Sequence, residues 1–252
     1  MSFDALPRVQ PAKSRLPMAL VLDTSSSMRE GDRIGELNAA LGTWRTELLG
    51  NSHLARHGEI AMITFGHQGV RVVDPTGRGD REPAEPFASV SDFAPQPLVA
   101  GGVTPMVEAI RRTFELIATR KQQIRQQNRV LQNRPLVYLI TDGVPTDDRG
   151  VLTDRWRDLA PAIRAQENGN HLLFFAIGVQ GADMDVLAGL APRSHFNLAD
   201  LDFTQVLRLV STSMDRTSRG SRMDQPANQA YDEVNQLMTQ NEEIRKYLEN
   251  NG

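Results

Sequence analysis

The chain has 252 residues, of which 40% are hydrophobic and 23% are charged, a composition typical of one globular domain with a small appendage. Its formal net charge is only -3, so no overall positive field would recruit nucleic acid or an anionic membrane surface. The sequence contains no cysteine, which excludes disulfide bonds, a thiolate metal site and a cysteine nucleophile.

The amino-terminal residues do not have the basic and then apolar segments that make a secretory signal. The longest dense apolar segment covers residues 172–179 and is far shorter than the ~20 residues that a membrane-spanning helix needs. We therefore expect a cytoplasmic protein that binds neither nucleic acid nor a membrane.

In the first part of the chain, dense apolar segments alternate with helical periodicity. Residues 16–22 and 60–65 are apolar throughout, which predicts strands buried on both faces, and residues 68–73 turn back as an edge strand. Between the two buried strands, five apolar side chains recur at steps of three and four and so share one stripe of a helix. They are Ile34, Leu37, Leu41, Trp44 and Leu48.

The second part of the chain repeats this alternation. A helix begins after Pro105, since proline suits the first helical turn. Further strands are predicted over residues 136–140 and 172–179, and further helices over 154–165, 183–190 and 202–210. A short segment around residues 195–198 separates the last two helices. Strands that alternate with helices predict an α/β fold, with an open, doubly wound and mostly parallel sheet flanked by helices.

The sequence also predicts the domain organisation. An amino-terminal extension covers residues 1–15, the α/β domain 16–215, a polar linker 216–230 and an amphipathic carboxy-terminal helix 231–252. Within the domain, the proline- and glycine-rich residues 75–97 predict a long surface loop. The final helix carries a heptad pattern, so it could pack back on the domain, bind a partner or associate with a second copy. The pattern consists of Val234, Leu237, Asn241, Ile244 and Leu248.

Oxygen-bearing side chains follow the predicted strands at the edge where doubly wound sheets bind ligands. Asp23, Ser25 and Ser27 come after the first strand, Asp142 follows the strand over 136–140, and Thr104 starts a helix. Two carboxylates and three hydroxyls favour a hard cation, Mg²⁺ first and Mn²⁺ or Ca²⁺ behind it. Because hydroxyls are neutral, the ion would remain electrophilic and would accept a carboxylate from outside the chain.

This arrangement resembles the metal-ion-dependent adhesion site (MIDAS) of von Willebrand factor type A (vWA) domains. The segments 16–28 and 135–147 further resemble the bacterial TerY-like branch of tellurium-resistance proteins. The resemblance implies a Rossmann-like fold and a ligand-binding role without catalysis. It also implies partners such as a kinase, a phosphatase or an ATPase of the same system. The implied metal ligands are Ser25, Ser27 and Thr104 by contact, and Asp23 and Asp142 directly or through water.

Two positions depart from the family pattern. Ser26 stands where family members commonly have glycine, and Val103 separates Gly102 from Thr104 where many members join glycine directly to threonine. Neither change removes an implied ligand, although the serine could make the loop stiffer or tilt it.

Three other interpretations remain open at the level of sequence. The polar residues after the first strand could simply cap a helix, as Asp and Ser often do. A Mg²⁺-dependent phosphoester hydrolase is the alternative function, although phosphatases of similar fold place a second aspartate where Ser25 stands. A structural module that oligomerises through its tail is the third. The favoured hypothesis is a stress- or metal-resistance adaptor that binds a partner Asp or Glu through the metal ion.

Overall fold

A mostly parallel β-sheet forms the centre of the protein in the computed structural model, which describes residues 14–127, 129–131, 133–220, 231–232 and 234–236. The strands are β1 Ser14–Thr24, β2 Gly58–Gly66, β3 Gly69–Val73, β4 Ala88–Ser89, β5 Val130–Leu131, β6 Leu136–Thr141, β7 Leu173–Gly178 and β8 His195–Asn197. The main strands follow the spatial order β3-β2-β1-β6-β7-β8, while β4 pairs with β2 and β5 pairs with β1. Strands β3 and β4 run antiparallel to β2.

Helices cover both faces of this sheet. The α-helices are α1 Arg33–Gly50, α2 Ser52–His57, α3 Met106–Gln126, α4 Trp156–Asn168, α5 Met184–Leu190 and α6 Phe203–Gly220. Two short 3-10 helices, Ser26–Asp32 and Val90–Asp92, lie in the loops. Leu20 and Leu22 of β1 face the core that contains α1 and α6, while Ala19 and Val21 face the core that contains α3, α4 and α5.

The doubly wound α/β architecture predicted from the sequence is confirmed. Because β1 is buried on both faces, its apolar residues run without alternation, as expected for the centre of a parallel sheet. The short helix α2 and the two-residue strands β4 and β5 were not predicted, since segments of this length carry little periodicity. None of the helices in the described ranges combines the length and apolar character needed to cross a membrane.

Helix α6 is longer than the sequence predicted. The expected domain boundary was residue 215, with a linker over 216–230, but α6 continues to Gly220. Its inward stripe continues because Val206, Val210 and Met214 recur at steps of four and are all buried. Helix α6 therefore extends past residue 216, where the sequence predicted the linker to start, while residues 221–230 lie outside the described part of the chain.

The beginning of the predicted carboxy-terminal helix packs on the domain. Tyr231 and Val234 are buried and belong to the same core as α1 and α6. The Tyr231 hydroxyl donates to a carboxylate oxygen of Glu167 and accepts from the backbone N–H of Phe174 at 3.1 Å. Burial raises the pKa of Glu167, because a charged carboxylate is disfavoured away from water, and the hydrogen bond from Tyr231 opposes this rise. The remaining heptad positions, from Leu237 onward, lie outside the described residues.

Loss of the Tyr231 hydroxyl should weaken the whole fold. Tyr231→Phe leaves Glu167 and the Phe174 N–H without this buried partner, so the free energy of unfolding should fall by about 1–3 kcal/mol. Urea denaturation monitored by circular dichroism measures this change. Asn235→Ala is the matched control, because Asn235 is in the same segment and its bond to the Arg193 carbonyl is exposed. Equal losses in the two variants would contradict the buried position of Tyr231.

Candidate metal-binding site

Two buried aspartates lie at adjacent strand ends. Strands β1 and β6 pair in parallel with Leu22 opposite Ile140, so the residues that follow emerge side by side at the carboxyl edge of the sheet. Asp23 is 1% exposed and Asp142 is 2% exposed. The Thr141 hydroxyl donates to Asp23 Oδ2 at 2.6 Å and so connects the two strand ends. The pairing of these strands therefore brings together two carboxylates that are distant in the sequence.

The serine hydroxyls link the two carboxylates. The backbone N–H of Ser25 donates to Asp23 Oδ1 at 2.8 Å, and the hydroxyls of Ser25 and Ser27 lie 2.9 Å apart. The Ser27 hydroxyl donates to Asp142 Oδ1 at 2.8 Å. Ser25 precedes the 3-10 helix Ser26–Asp32 without a side-chain capping bond, so these contacts are not those of a helix cap. Four of the five predicted ligands therefore lie along one chain of hydrogen bonds.

Thr104 reaches the same place from a third loop. A methyl group placed on Gly143 would lie 3.5 Å from both Asp23 Oδ2 and Thr104 Oγ1, so these two oxygens face one small region. Thr104 is held by Thr146, whose hydroxyl accepts from the Thr104 N–H at 2.8 Å and whose N–H donates to the Thr104 carbonyl at 2.9 Å. The structure thus brings all five predicted side chains to one depression.

The departure at Ser26 has a structural role. Its hydroxyl and its backbone N–H both donate to the carbonyl of Gly102, at 2.8 and 3.1 Å. Gly102 itself has φ +75°, and a Cβ there would lie 2.4 Å from the Gly66 carbonyl oxygen, so only glycine fits. Ser26 therefore joins the loop after β1 to the loop that carries Thr104.

A cation from the chain lies beside Asp142. Arg33, the first residue of α1, places Nη1 3.0 Å from Asp142 Oδ2 and 3.3 Å from the carbonyl of Ser27. The Asp142 side chain is 0% exposed and that of Arg33 is 17% exposed, so the pair is largely shielded from water. No pattern in the sequence indicated this contact.

The electrostatics of the site favour an added cation. Burial raises the pKa of Asp23 to about 6, the charge of Asp142 adds to that rise, and hydrogen bonds from Ser25 and Thr141 oppose it. The described residues contain no group of three or more His, Cys, Asp or Glu side chains able to hold a metal, so hydroxyls would have to complete any donor set here. Two carboxylates with hydroxyls are hard oxygen donors and fit a hard divalent cation.

Four supporting residues were not assigned a role from the sequence: Ser26, Arg33, Thr141 and Thr146. Thr141 directly precedes Asp142 and Thr146 follows it by four residues, so their positions beside the strand end were a usable signal. Arg33 gave none, because it comes after a turn in which Gly31 and Asp32 both have left-handed φ values of 60° and 61°.

A model of the von Willebrand factor type A domain family matches residues 18–212. No curated protein matches the chain. Among solved structures it is similar to proximal thread matrix protein 1 of the mussel byssus, with 17% identity and a TM-score of 0.47, over 79% of this chain and 48% of that one. It is similar to the pilus adhesin SpaC of Lactobacillus rhamnosus GG, with 13% identity and a TM-score of 0.43, over 91% and 31%. It is also similar to the manganese-loaded TRAP protein of Plasmodium vivax, with 14% identity and a TM-score of 0.46, over 79% and 73%.

This chain spans about half of the length of the mussel protein and less than a third of the length of the pilus adhesin. At such identities the likeness concerns the fold and carries no residue roles.

The raised pKa of Asp23 gives the metal-free protein a defined pH dependence. The folded state keeps a proton that the unfolded chain releases, so stability should fall as pH rises from the usual 3.8 to about 6. The loss should be about 2–3 kcal/mol. Asp23→Asn cannot titrate and should lack this part of the profile.

Urea denaturation in EDTA, repeated across that pH range, measures the difference between parent and variant. Asp148→Asn is the control, since Asp148 is an exposed aspartate of the loop after β6 and should keep the profile of the parent. Identical profiles for the parent and Asp23→Asn would contradict the raised pKa.

Proposed function

This chain belongs to the von Willebrand factor type A domain family, and from that premise we propose that it is a metal-dependent adaptor that binds an acidic side chain of a partner protein. The observation that supports this most is the meeting of five oxygen-bearing side chains from three separate loops at one depression of the sheet edge. That depression is open to the surface and is lined by Ser25, Ser27, Thr104 and Asp142.

Each side chain has a distinct task in the proposal. The hydroxyls of Ser25, Ser27 and Thr104 contact the ion, and Asp23 and Asp142 hold it directly or through water. Mg²⁺ is the proposed ion, with Mn²⁺ or Ca²⁺ as alternatives, because all donors are hard oxygens. When bound, the ion supplies an electrophilic position that a partner Asp or Glu can fill. The proposed donor set contains two carboxylates, those of Asp23 and Asp142, so the open position of the ion remains attractive to a carboxylate of the partner.

The rim of the depression supports a protein partner. Val144 is 38% exposed, Val151 is 61% exposed and Leu152 is 71% exposed, and Val144 and Leu152 line the same depression as the ligands. One ion–carboxylate contact gives modest affinity, so apolar contact around it would provide area and specificity.

The finer assignment is part of the proposal as well. We place the protein among TerY-like adaptors of a bacterial stress or metal-resistance system, with a kinase, phosphatase or ATPase as its partner. This rests on the sequence segments 16–28 and 135–147. The cytoplasmic location, the domain limits 16–215 and self-association through the final helix stay predictions from the sequence.

The alternative function, a Mg²⁺-dependent phosphoester hydrolase, is less well supported. Such an enzyme needs a nucleophile or base beside the metal, and the position two residues after Asp23 is Ser25, whose hydroxyl lies 2.9 Å from that of Ser27. We expect no turnover of a generic phosphate ester.

Removal of single ligand hydroxyls should weaken metal binding selectively. Ser27→Ala and Thr104→Ala should each lower the affinity for Mn²⁺ or Mg²⁺ by about 10–100-fold, as seen when groups that support a metal site are lost. Asp23→Ala should abolish the stabilisation of the fold by Mg²⁺ without unfolding the chain. Isothermal titration calorimetry and melting with and without EDTA measure both effects.

Thr43→Ala is the matched control, because its exposed hydroxyl bonds to the Ala39 carbonyl within α1 and Thr43 does not line the depression. Equal losses of affinity for Thr43→Ala and Ser27→Ala would show that the ligand set is wrong.

Partner binding should depend on the ion. The tagged chain, purified from its own cells in Mg²⁺, should retain a partner that elutes when EDTA is added. Ser27→Ala should not retain that partner, whereas Thr43→Ala should. A partner held equally in Mg²⁺ and in EDTA would contradict the proposed bridging role.

A further inference from the structure

Arg33 is positioned to act on the ion that the site would hold. Gly31 and Asp32, both with left-handed φ, turn the chain so that the first residue of α1 comes back to the depression. Arg33 Nη1 then lies 3.0 Å from Asp142 Oδ2 and 3.3 Å from the Ser27 carbonyl. Arg33 also lines the depression together with the proposed ligands. Its charge therefore belongs to the site and is not directed to bulk solvent.

Both oxygens of Asp142 are already engaged. Oδ1 accepts from the Ser27 hydroxyl at 2.8 Å, and Oδ2 is paired with the guanidinium. An arginine cannot lose its proton in a protein, so this positive charge is permanent. Glu30 lines the same depression and lies 3.9 Å from Arg33 Nη1, but its side chain is 75% exposed, so water screens it and it offsets little of that charge.

A cation bound between Ser27 and Asp142 would share one carboxylate with this guanidinium. Because the guanidinium and the ion would then contact the same buried carboxylate, their two positive charges would repel each other. The guanidinium also reduces the negative charge that Asp142 can offer to a metal ion.

We propose that Arg33 is a built-in competitor of the divalent cation for Asp142, and that it lowers the metal affinity of the partner-free protein. This inference rests on the proposed metal-dependent function. Because two aspartates neutralise a divalent cation, Arg33 leaves the loaded site with a net positive charge. A carboxylate from a partner removes that excess, so the ion is held most firmly when the acidic partner is present. Arg33 is thus a positioning residue that couples metal retention to partner binding.

A purely orienting role for Arg33 would give the opposite result. If the guanidinium only oriented Asp142, its removal would loosen a metal ligand and weaken metal binding. The sign of the change therefore separates the two roles.

The test is the Mn²⁺ affinity of the full chain without any partner, measured by isothermal titration calorimetry and by the electron paramagnetic resonance signal of free Mn²⁺. Arg33→Gln should bind Mn²⁺ roughly tenfold more tightly than the parent. Arg33→Lys keeps a charge but moves it away from Asp142, and its affinity should lie between the two. Arg29→Gln is the matched control, because Arg29 bonds to the Ala100 carbonyl and should leave the affinity unchanged.

The outcomes are distinguishable. Unchanged or weaker Mn²⁺ binding by Arg33→Gln, in the presence of measurable binding by the parent, overturns the competition and leaves the proposed function standing. Absence of binding by the parent and by both Arg33 variants overturns both. Circular dichroism in EDTA checks that each variant is folded, and Arg33→Lys alone decides the question if Arg33→Gln does not fold.

Discussion

Parallel pairing of β1 with β6 carries Asp23 and Asp142 to the same buried edge of the sheet. Both carboxylates are almost fully removed from water, and the pKa of Asp23 is raised to about 6. Such a pair is costly for a folded chain unless positive charge approaches it. The negative charge of this pair is met by hydrogen bonds from the Ser27 and Thr141 hydroxyls and by the guanidinium of Arg33.

The surrounding loops are fixed before any ligand arrives. Ser26 joins the loop after β1 to the Gly102 carbonyl, and Thr146 holds Thr104 through two backbone hydrogen bonds. These bonds are made by residues that are not proposed ligands. The proposed donors therefore need little rearrangement, which lowers the entropic cost of binding an ion.

The strand-end rule was sufficient to predict that Asp23 and Asp142 lie close together, because apolar strands without alternation identify the sheet and polar residues after them identify its carboxyl edge. The role of Arg33 could not be predicted, since it depends on two successive left-handed residues that no periodicity reveals. The extension of α6 could have been predicted from the spacing of Val206, Val210 and Met214. The buried position of Tyr231 could not, because its partners Glu167 and Phe174 are distant in sequence.

The anchoring of Tyr231 also sets a polarity for the molecule. Phe174 is at the amino end of β7 and Glu167 is near the end of α4, whereas the proposed ligands lie at the carboxyl ends of the strands. Tyr231 is therefore fastened to the end of the sheet opposite the depression. A fluorophore attached beside Tyr231 would be separated from the depression by the length of the sheet, which would act as a rigid spacer.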